Sequence, residues 1–167
     1  MEHEQLVKRK PAVERPDIES YWAAAKAGRP QSYLYVSLLG LQLSDPIQIL
    51  RRLRHGLQFH AFERFQKNTQ FSTVDLASLV AIKMRTLHRR KEQGRLEPEE
   101  SDRLLRVSRV FAKTIELFEG DAEPARRWLY TPAKAFGGEQ PIALAGTDLG
   151  SREVEALIDR LEHGVLT

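Results

Sequence analysis

The chain has 167 residues, of which 41% are hydrophobic and 29% charged, and this suits a globular protein of one substantial domain or two small ones. It has no cysteine, which excludes disulfides and cysteine zinc sites, and no apolar run approaches the roughly 20 residues that a membrane-spanning helix needs. The N-terminus carries no visible secretory signal, so we expect a cytoplasmic protein that does not enter a membrane.

The net charge of +3 is unevenly distributed along the chain. Residues 44–96 carry a net charge of +7, whereas residues 97–167 carry −5. This asymmetry favours a basic module that meets a polyanion, joined to an acidic module that meets a different partner. The alternative is that two neighbouring solvated faces simply differ in sign.

The first 43 residues are predicted to form an N-terminal arm that is partly disordered. Residues 1–18 are polar, contain two prolines and show no periodicity. A short helix is expected over 20–26. Residues 33–43 are apolar without a clean period, which leaves a short strand or a packed arm open.

Helix signals dominate from residue 44 onward. Asp45 and Pro46 form an N-cap followed by proline at the first helical position. This helix is predicted to end at Gly56, with one face marked by Ile47, Leu50 and Leu53. A second helix over 59–67 is expected to stop at Asn68, which can adopt a left-handed conformation.

A helix-turn-helix is predicted over 72–92. Ser72 begins its first helix, which runs to residue 79, and the second is expected over 84–92 with a stop at Gly94. Ala77 allows the two helices to pack closely. The turn usually needs a glycine four residues later, because one position favours positive φ, but this chain has Ala81 there.

The second of these helices is strongly basic, and in a helix-turn-helix this helix lies in the DNA major groove. Residues near its start would contact base edges, and the later cations would contact phosphates. The candidate DNA-binding residues are Lys83, Met84, Arg85, Thr86, His88, Arg89, Arg90, Lys91 and Arg95. A solvated basic helix face is the alternative interpretation.

The remaining residues are predicted to form further helices, so the expected fold class is all-α. The longest helix opens at residues 97–100 and ends at Gly120, with a buried stripe of Leu104, Ser108, Phe111, Ile115 and Phe118. A helix over 122–129, a loop over 130–138 and a short turn at Pro141 follow. The last helix starts at residues 147–148, with a buried face of Leu149, Val154, Leu157, Ile158 and Leu161.

Two blocks of residues, within a span of about 38 to 167, resemble the Xre/MbcA/ParS family of antitoxins. The first comprises Thr86-Leu87-His88-Arg89-Arg90-Lys91, Gly94-Arg95-Leu96 and Pro98-Glu99-Glu100-Ser101-Asp102-Arg103-Leu104-Leu105-Arg106. The second comprises Trp128-Leu129, Pro132, Phe136-Gly137-Gly138, Pro141, Leu144, Thr147, Gly150, Val154-Glu155, Leu157 and Leu161-Glu162-His163-Gly164-Val165. The order of both blocks makes the resemblance more specific than either block alone.

The resemblance implies an antitoxin that pairs with a RES-domain toxin, an enzyme that consumes NAD. It implies an Xre-like DNA-binding domain, expected over 44–96, that binds operator DNA and represses its own operon. It also implies a toxin-binding and dimerisation domain, expected over 97–167, that docks on the toxin and closes its NAD pocket. A homodimer within a larger toxin–antitoxin complex is the implied assembly.

The toxin contact is expected at the end of the last helix, where charged residues lie outside the buried stripe and a short tail follows. The candidate toxin-binding residues are Glu155, Asp159, Arg160, Glu162, His163, Gly164 and Val165. Alternatively, His163 and Gly164 only cap the helix, since a cationic histidine suits a helix C-terminus.

Enzymatic interpretations find little support in the sequence. The histidines, at positions 3, 55, 60, 88 and 163, show no metal-ligand spacing, and Phe136-Gly137-Gly138 lacks the context of a phosphate loop. We therefore expect no catalytic residue, metal or cofactor. The rival functions are a stand-alone helix-turn-helix regulator, whose C-terminal domain dimerises or senses a ligand, and a protein-binding module that keeps the motif for packing.

Overall fold

The computed structural model describes residues 17–28, 31–42 and 45–164, and every regular element in these ranges is a helix. The predicted all-α class is therefore confirmed. One isolated antiparallel bridge joins Gln58 to Arg95. The disorder expected over residues 1–16 lies outside the described residues, and residues 17–18, also expected to be disordered, lie in the first helix.

The N-terminal arm contains a helix α1 (Asp17–Lys26) and a 3-10 helix η1 (Gln31–Leu39). Of the two alternatives for 33–43, the packed arm is the one observed over the described part, because Val36, Leu38 and Leu39 are almost fully buried. A 3-10 helix repeats every three residues, so its apolar pattern matches neither the helical nor the strand period.

A triad of polar side chains attaches α1 to the rest of the fold. Arg64 donates from Nε and Nη2 to the two carboxylate oxygens of Asp17, at 2.5 and 2.7 Å. Asn68 donates to the same carboxylate at 2.7 Å and to the carbonyl of Leu38 at 2.9 Å. The arm is thus part of the folded domain.

Four helices follow: α2 (Pro46–His55), α3 (Phe59–Thr69), α4 (Thr73–Leu79) and α5 (Met84–Gln93). The two predicted caps are present, since the Asp45 carboxylate accepts from Ile47 N at 2.9 Å and the Ser72 hydroxyl from Asp75 N at 3.0 Å. Gly56 ends α2 with φ of 77°, and a Cβ there would collide with the carbonyl oxygen of Leu96.

The apolar face of α2 is only partly covered, and one predicted helix end is wrong. On that face Ile47 and Leu50 are 52% and 49% exposed and Leu53 is half-buried, whereas Ile49 is the buried residue of α2. The helix α3 does not stop at Asn68 but continues to Thr69, because Gln70 adopts the left-handed conformation with φ of 56°.

The C-terminal part contains α6 (Pro98–Leu117), α7 (Ala122–Leu129), a 3-10 turn η2 (Lys134–Phe136), α8 (Pro141–Leu144) and α9 (Asp148–Glu162). Most of the predicted stripe of α6 is buried, with Phe118 only half-buried. On α9 the expectation fails for Leu149, which is 72% exposed, while Leu157 and Leu161 are half-buried.

A single hydrophobic core connects the helices on both sides of α6. Phe65, Phe71 and Phe111 pack edge to face at its centre, with ring centroids 5.6–6.2 Å apart. The helix α6 packs against α2, α3 and α4 as well as against α7 and α9. It is therefore shared between the basic and the acidic halves of the chain.

Candidate functional site

The pair α4–α5 forms the predicted helix-turn-helix. Leu76, Ala77, Ile82 and Leu87 are all at most 5% exposed and fix the two helices to the core. The amide of Ile82 donates to the carbonyl of Ala77 at 2.8 Å across the turn. The side chain of Ala77 is buried, as its predicted role in close packing of the two helices requires.

Ala81 occupies the turn position where a glycine was expected, and its φ is 56°. The left-handed conformation places the alanine Cβ close to backbone atoms, at a cost of about 1 kcal/mol. The turn geometry typical of the motif is thus present despite the unusual residue, with local strain at this position.

The outward face of α5 is basic and has few internal partners. Lys83, Arg85, His88 and Arg89 are exposed, Met84 is 38% exposed, and Thr86 is half-buried. No hydrogen bond or ion pair within the described ranges holds Arg85 or Arg89. These guanidinium groups are therefore available to an external anion or base edge.

Two of the predicted phosphate contacts have internal partners but stay exposed. Lys91 Nζ lies 3.1 Å from a carboxylate oxygen of Glu63, and both side chains are largely exposed. Arg95 donates from Nη1 to the carbonyl of His55 at 2.8 Å, at the end of α2. An exposed ion pair contributes little stability, so Lys91 can exchange Glu63 for another anion.

Arg90 does not belong to this exposed face. It is 8% exposed, and its Nε donates to Glu100 at 2.9 Å, while Nη1 lies 3.2 Å from Glu97 and 3.1 Å from Gln93 Oε1. Hydrogen bonding to Glu100 raises the pKa of the Arg90 guanidinium further. This placement corrects our expectation of a phosphate contact, because Arg90 joins α5 to the start of α6.

The second candidate surface lies on α9. Glu155 and Asp159 face α6, where Arg109 Nε donates to Glu155 at 2.7 Å and Lys113 Nζ to Asp159 at 2.9 Å. The Glu155 side chain is only 16% exposed. Glu155 therefore serves mainly to fix α9 on α6, and Asp159 is partly engaged there.

The exposed candidates lie at the C-terminal end of α9. Arg160, Glu162, His163 and Gly164 are all exposed, and Val165 lies outside the described residues. Burial, with the neighbouring carboxylates of Glu116 and Asp159, raises the pKa of Glu162. His163 Nδ1 donates to the carbonyl of Asp159 at 2.6 Å, which is the capping contact that we considered.

A basic cleft beside α2 was missed by the sequence reasoning. It is lined by Arg51, Arg52, His55, His60 and Arg95. The adjacent pair Arg51-Arg52 could have indicated it, but only the fold brings these residues to Arg95. Within the described ranges no cluster of metal-ligating side chains occurs, and no helix there is long and apolar enough to cross a membrane.

Comparison with known proteins matches two consecutive ranges of the chain. Residues 48–109 match the family described as the antitoxin Xre-like helix-turn-helix domain, and residues 113–164 match the antitoxin Xre/MbcA/ParS C-terminal toxin-binding domain. The two ranges meet inside α6, whereas we placed the division at its start. The domain limits of 44–96 and 97–167 stay a prediction.

The chain is also similar to three proteins named Antitoxin Xre. The Yersinia enterocolitica protein is 33% identical over 130 residues, covering 77% of this chain and 88% of the relative. The Photorhabdus laumondii protein is 30% identical over 116 residues, covering 69% and 78%. The Pseudomonas putida protein is 36% identical over 124 residues, covering 74% and 76%.

Proposed function

The chain belongs to the Xre family of antitoxins, and on that premise we propose that it neutralises a RES-domain toxin, an NAD-consuming enzyme, by covering the toxin's active site. It also represses its own operon by binding operator DNA through α5. It acts as a cytoplasmic homodimer within a larger toxin–antitoxin complex, and has no catalytic activity of its own.

The observation that carries this proposal is the separation of two exposed polar surfaces on one core. The outward face of α5 presents Arg85 and Arg89 without internal partners, which suits contact with DNA bases and phosphates. The end of α9, with Arg160 and Glu162, presents mixed charge that suits a protein partner. An antitoxin that also represses its own operon needs both surfaces.

Toxin neutralisation is tested by co-expression with the neighbouring RES-type gene. The full chain should restore growth, and a chain truncated after Leu161 should fail, because it lacks the exposed end of α9. The variant R152Q removes a charge near the opposite end of α9 and serves as the control. If the truncated chain protected the cells fully, the residues after Leu161 would not be needed to neutralise the toxin.

DNA binding is tested by titrating the full chain onto its upstream promoter duplex. R85Q should relax sequence preference, since a bidentate arginine–guanine contact contributes about 1–3 kcal/mol of discrimination. R89Q should weaken binding to promoter and unrelated DNA alike, and lower the salt dependence. If replacing Lys83, Arg85 and Arg89 together left DNA affinity unchanged, the assignment of α5 would be wrong.

A further inference from the structure

The basic cleft described above lies between η1, α2 and the start of α3, and has a volume of about 630 Å³. Five of its lining side chains are arginine or histidine, namely Arg51, Arg52, His55, His60 and Arg95. None of the described residues that line it is Asp or Glu. A concave surface with one sign of charge concentrates anions, because its walls focus the electric field.

The two adjacent arginines of the cleft are not neutralised internally by any described residue, whereas its His60 lies 4.0 Å from a carboxylate oxygen of Glu63. Within the described part of the chain, neither Arg51 nor Arg52 has an ion pair or a side-chain hydrogen bond. Basic residues in the last turn of α2 also stabilise the helix through its dipole, which accounts for Arg52 and His55. Arg51 lies outside that turn, so the dipole does not explain the whole cluster.

The cleft is continuous with the surface of the DNA-binding helix. A neighbouring hollow shares Gln58, His60 and Arg95 with it and extends to the exposed ion pair of Lys91 with Glu63. A third hollow shares Lys91 and extends to Met84 and His88, near the start of α5. A path along the first turns of α3 therefore connects Arg51 and Arg52 to the helix that we place in the major groove.

A DNA duplex would offer phosphates on both sides of the groove in which we place α5. The major groove is about 12 Å wide and is bordered by a phosphate backbone on each side, so a protein that inserts a helix meets phosphates beside it. Arg95 follows the end of α5 by two residues and also lines the cleft, so the cleft begins beside the helix that would occupy the groove.

We infer that the basic cleft, formed by Arg51, Arg52, His55, His60 and Arg95, binds the phosphate backbone of the same DNA duplex whose bases α5 contacts. This inference rests on the proposed DNA binding through α5 and adds a second contact outside the helix-turn-helix. The cleft contributes affinity and salt dependence without sequence preference, because phosphates are common to all sequences.

The test compares R51Q/R52Q with the wild-type chain on the promoter duplex and on an unrelated duplex, at roughly 50 to 200 mM salt. Each lost phosphate contact lowers the slope of log K against log salt by about 0.9, so the slope should fall by about 0.9 to 1.8. At 0.1 M salt the same relation gives a loss of about 8- to 60-fold in affinity. The ratio of promoter to unrelated affinity should stay unchanged.

The matched control is R127Q/K134Q, which removes two exposed cations from α7 and η2. It should leave the slope close to that of the wild type. Thermal unfolding of each variant shows whether it is folded, since loss of a favourable helix-dipole contact lowers stability without changing the salt slope of binding.

Three outcomes would overturn the inference. If R51Q/R52Q kept the wild-type slope while R85Q still relaxed sequence preference, α5 would bind DNA and the cleft would not. If R51Q/R52Q instead lost toxin protection with normal DNA binding, the cleft would serve a protein partner. If the wild-type chain did not bind its promoter at all, the proposed DNA function would fail together with the inference.

Discussion

Arg89 and Arg90 are adjacent in α5 but have different roles. Successive residues of a helix point roughly 100° apart, so Arg89 lies on the exposed face while Arg90 turns toward α6. There the carboxylate of Glu100 also accepts from the amide of Glu97 at 2.8 Å. One arginine is exposed without an internal partner among the described residues, and the other holds α5 in place on α6.

Replacing Arg90 should therefore destabilise the fold. R90M leaves the Glu100 carboxylate, 10% exposed, without its cationic partner, and we expect the free energy of unfolding to fall by about 2–3 kcal/mol. The control is K91M, which breaks only an exposed ion pair and should cost less than about 1 kcal/mol. Urea unfolding measures both, and equal losses would contradict the structural role of Arg90.

The turn residue Ala81 gives a prediction of opposite sign. Because its φ is positive, A81G should relieve strain and raise the free energy of unfolding by about 0.5–1 kcal/mol. The same change at Ala156, an exposed residue inside α9, should lower it by about 0.5–1 kcal/mol. If urea unfolding showed that A81G and A156G both lower the free energy of unfolding, Ala81 would not be strained.

At the scale of elements, several helix ends that depend on local chemistry were predictable, although the end of α3 was not. The bounds of α7, set by Asp121 and followed by a loop, were predicted as observed, and so was the start of α4 at Ser72. The buried faces were less predictable, because an amphipathic pattern does not say what will cover it. Leu50 and Leu149 follow the helical pattern, yet no neighbouring element in the described chain buries them.

The candidate site, too, was predictable only where it depends on local sequence. The sequence predicts the basic helix and its exposed arginines, since these depend on local spacing. It does not predict the pairing of Arg90 with Glu100 or the cleft that joins Arg51 to Arg95. Those contacts depend on how α2, α5 and α6 pack, which local spacing does not determine.

The attachment of α1 to α3 should make stability depend on pH. Burial acts to raise the pKa of Asp17, but hydrogen bonds from Arg64 and Asn68, with nearby positive charge, outweigh it and lower the pKa. A lowered pKa in the folded state stabilises the protein above the unfolded value of about 3.9, and this contribution is lost as pH falls through the folded pKa.

D17N should therefore be less stable than the wild type at neutral pH, and the difference should shrink below about pH 4. Urea unfolding at several pH values between roughly 2 and 7 measures it. E19Q, which removes an exposed carboxyl from the same helix, controls for the change in net charge. A difference that stayed constant over this range would show that the Asp17 carboxylate does not contribute.

At the scale of the whole molecule, one core and one shared helix join the two matched family ranges. Phe65 and Phe71, from the helix-turn-helix side, pack against Phe111 of α6. The same helix α6 also packs on α7 and α9. A structure without a separating linker should unfold cooperatively.

The two tryptophans allow this cooperativity to be measured. Trp22 lies in α1, where its ring occupies the space beside Gly120, and Trp128 lies in α7. W128F leaves Trp22 as the fluorescent probe, and W22F leaves Trp128. We expect the urea midpoint from fluorescence to coincide with that from circular dichroism within each variant, whereas separate midpoints would indicate two independently unfolding units.

Because α6 runs without a break through both matched ranges, it limits which segments can be exchanged between related chains. Arg109 lies at the end of one matched range and Lys113 at the start of the next, and both hold acidic residues of α9. A chimera joined between the two ranges would cut a helix and could lose one of these contacts. Exchange of the C-terminal range between relatives therefore keeps these contacts only where α6 and α9 are inherited together, as a single unit of variation.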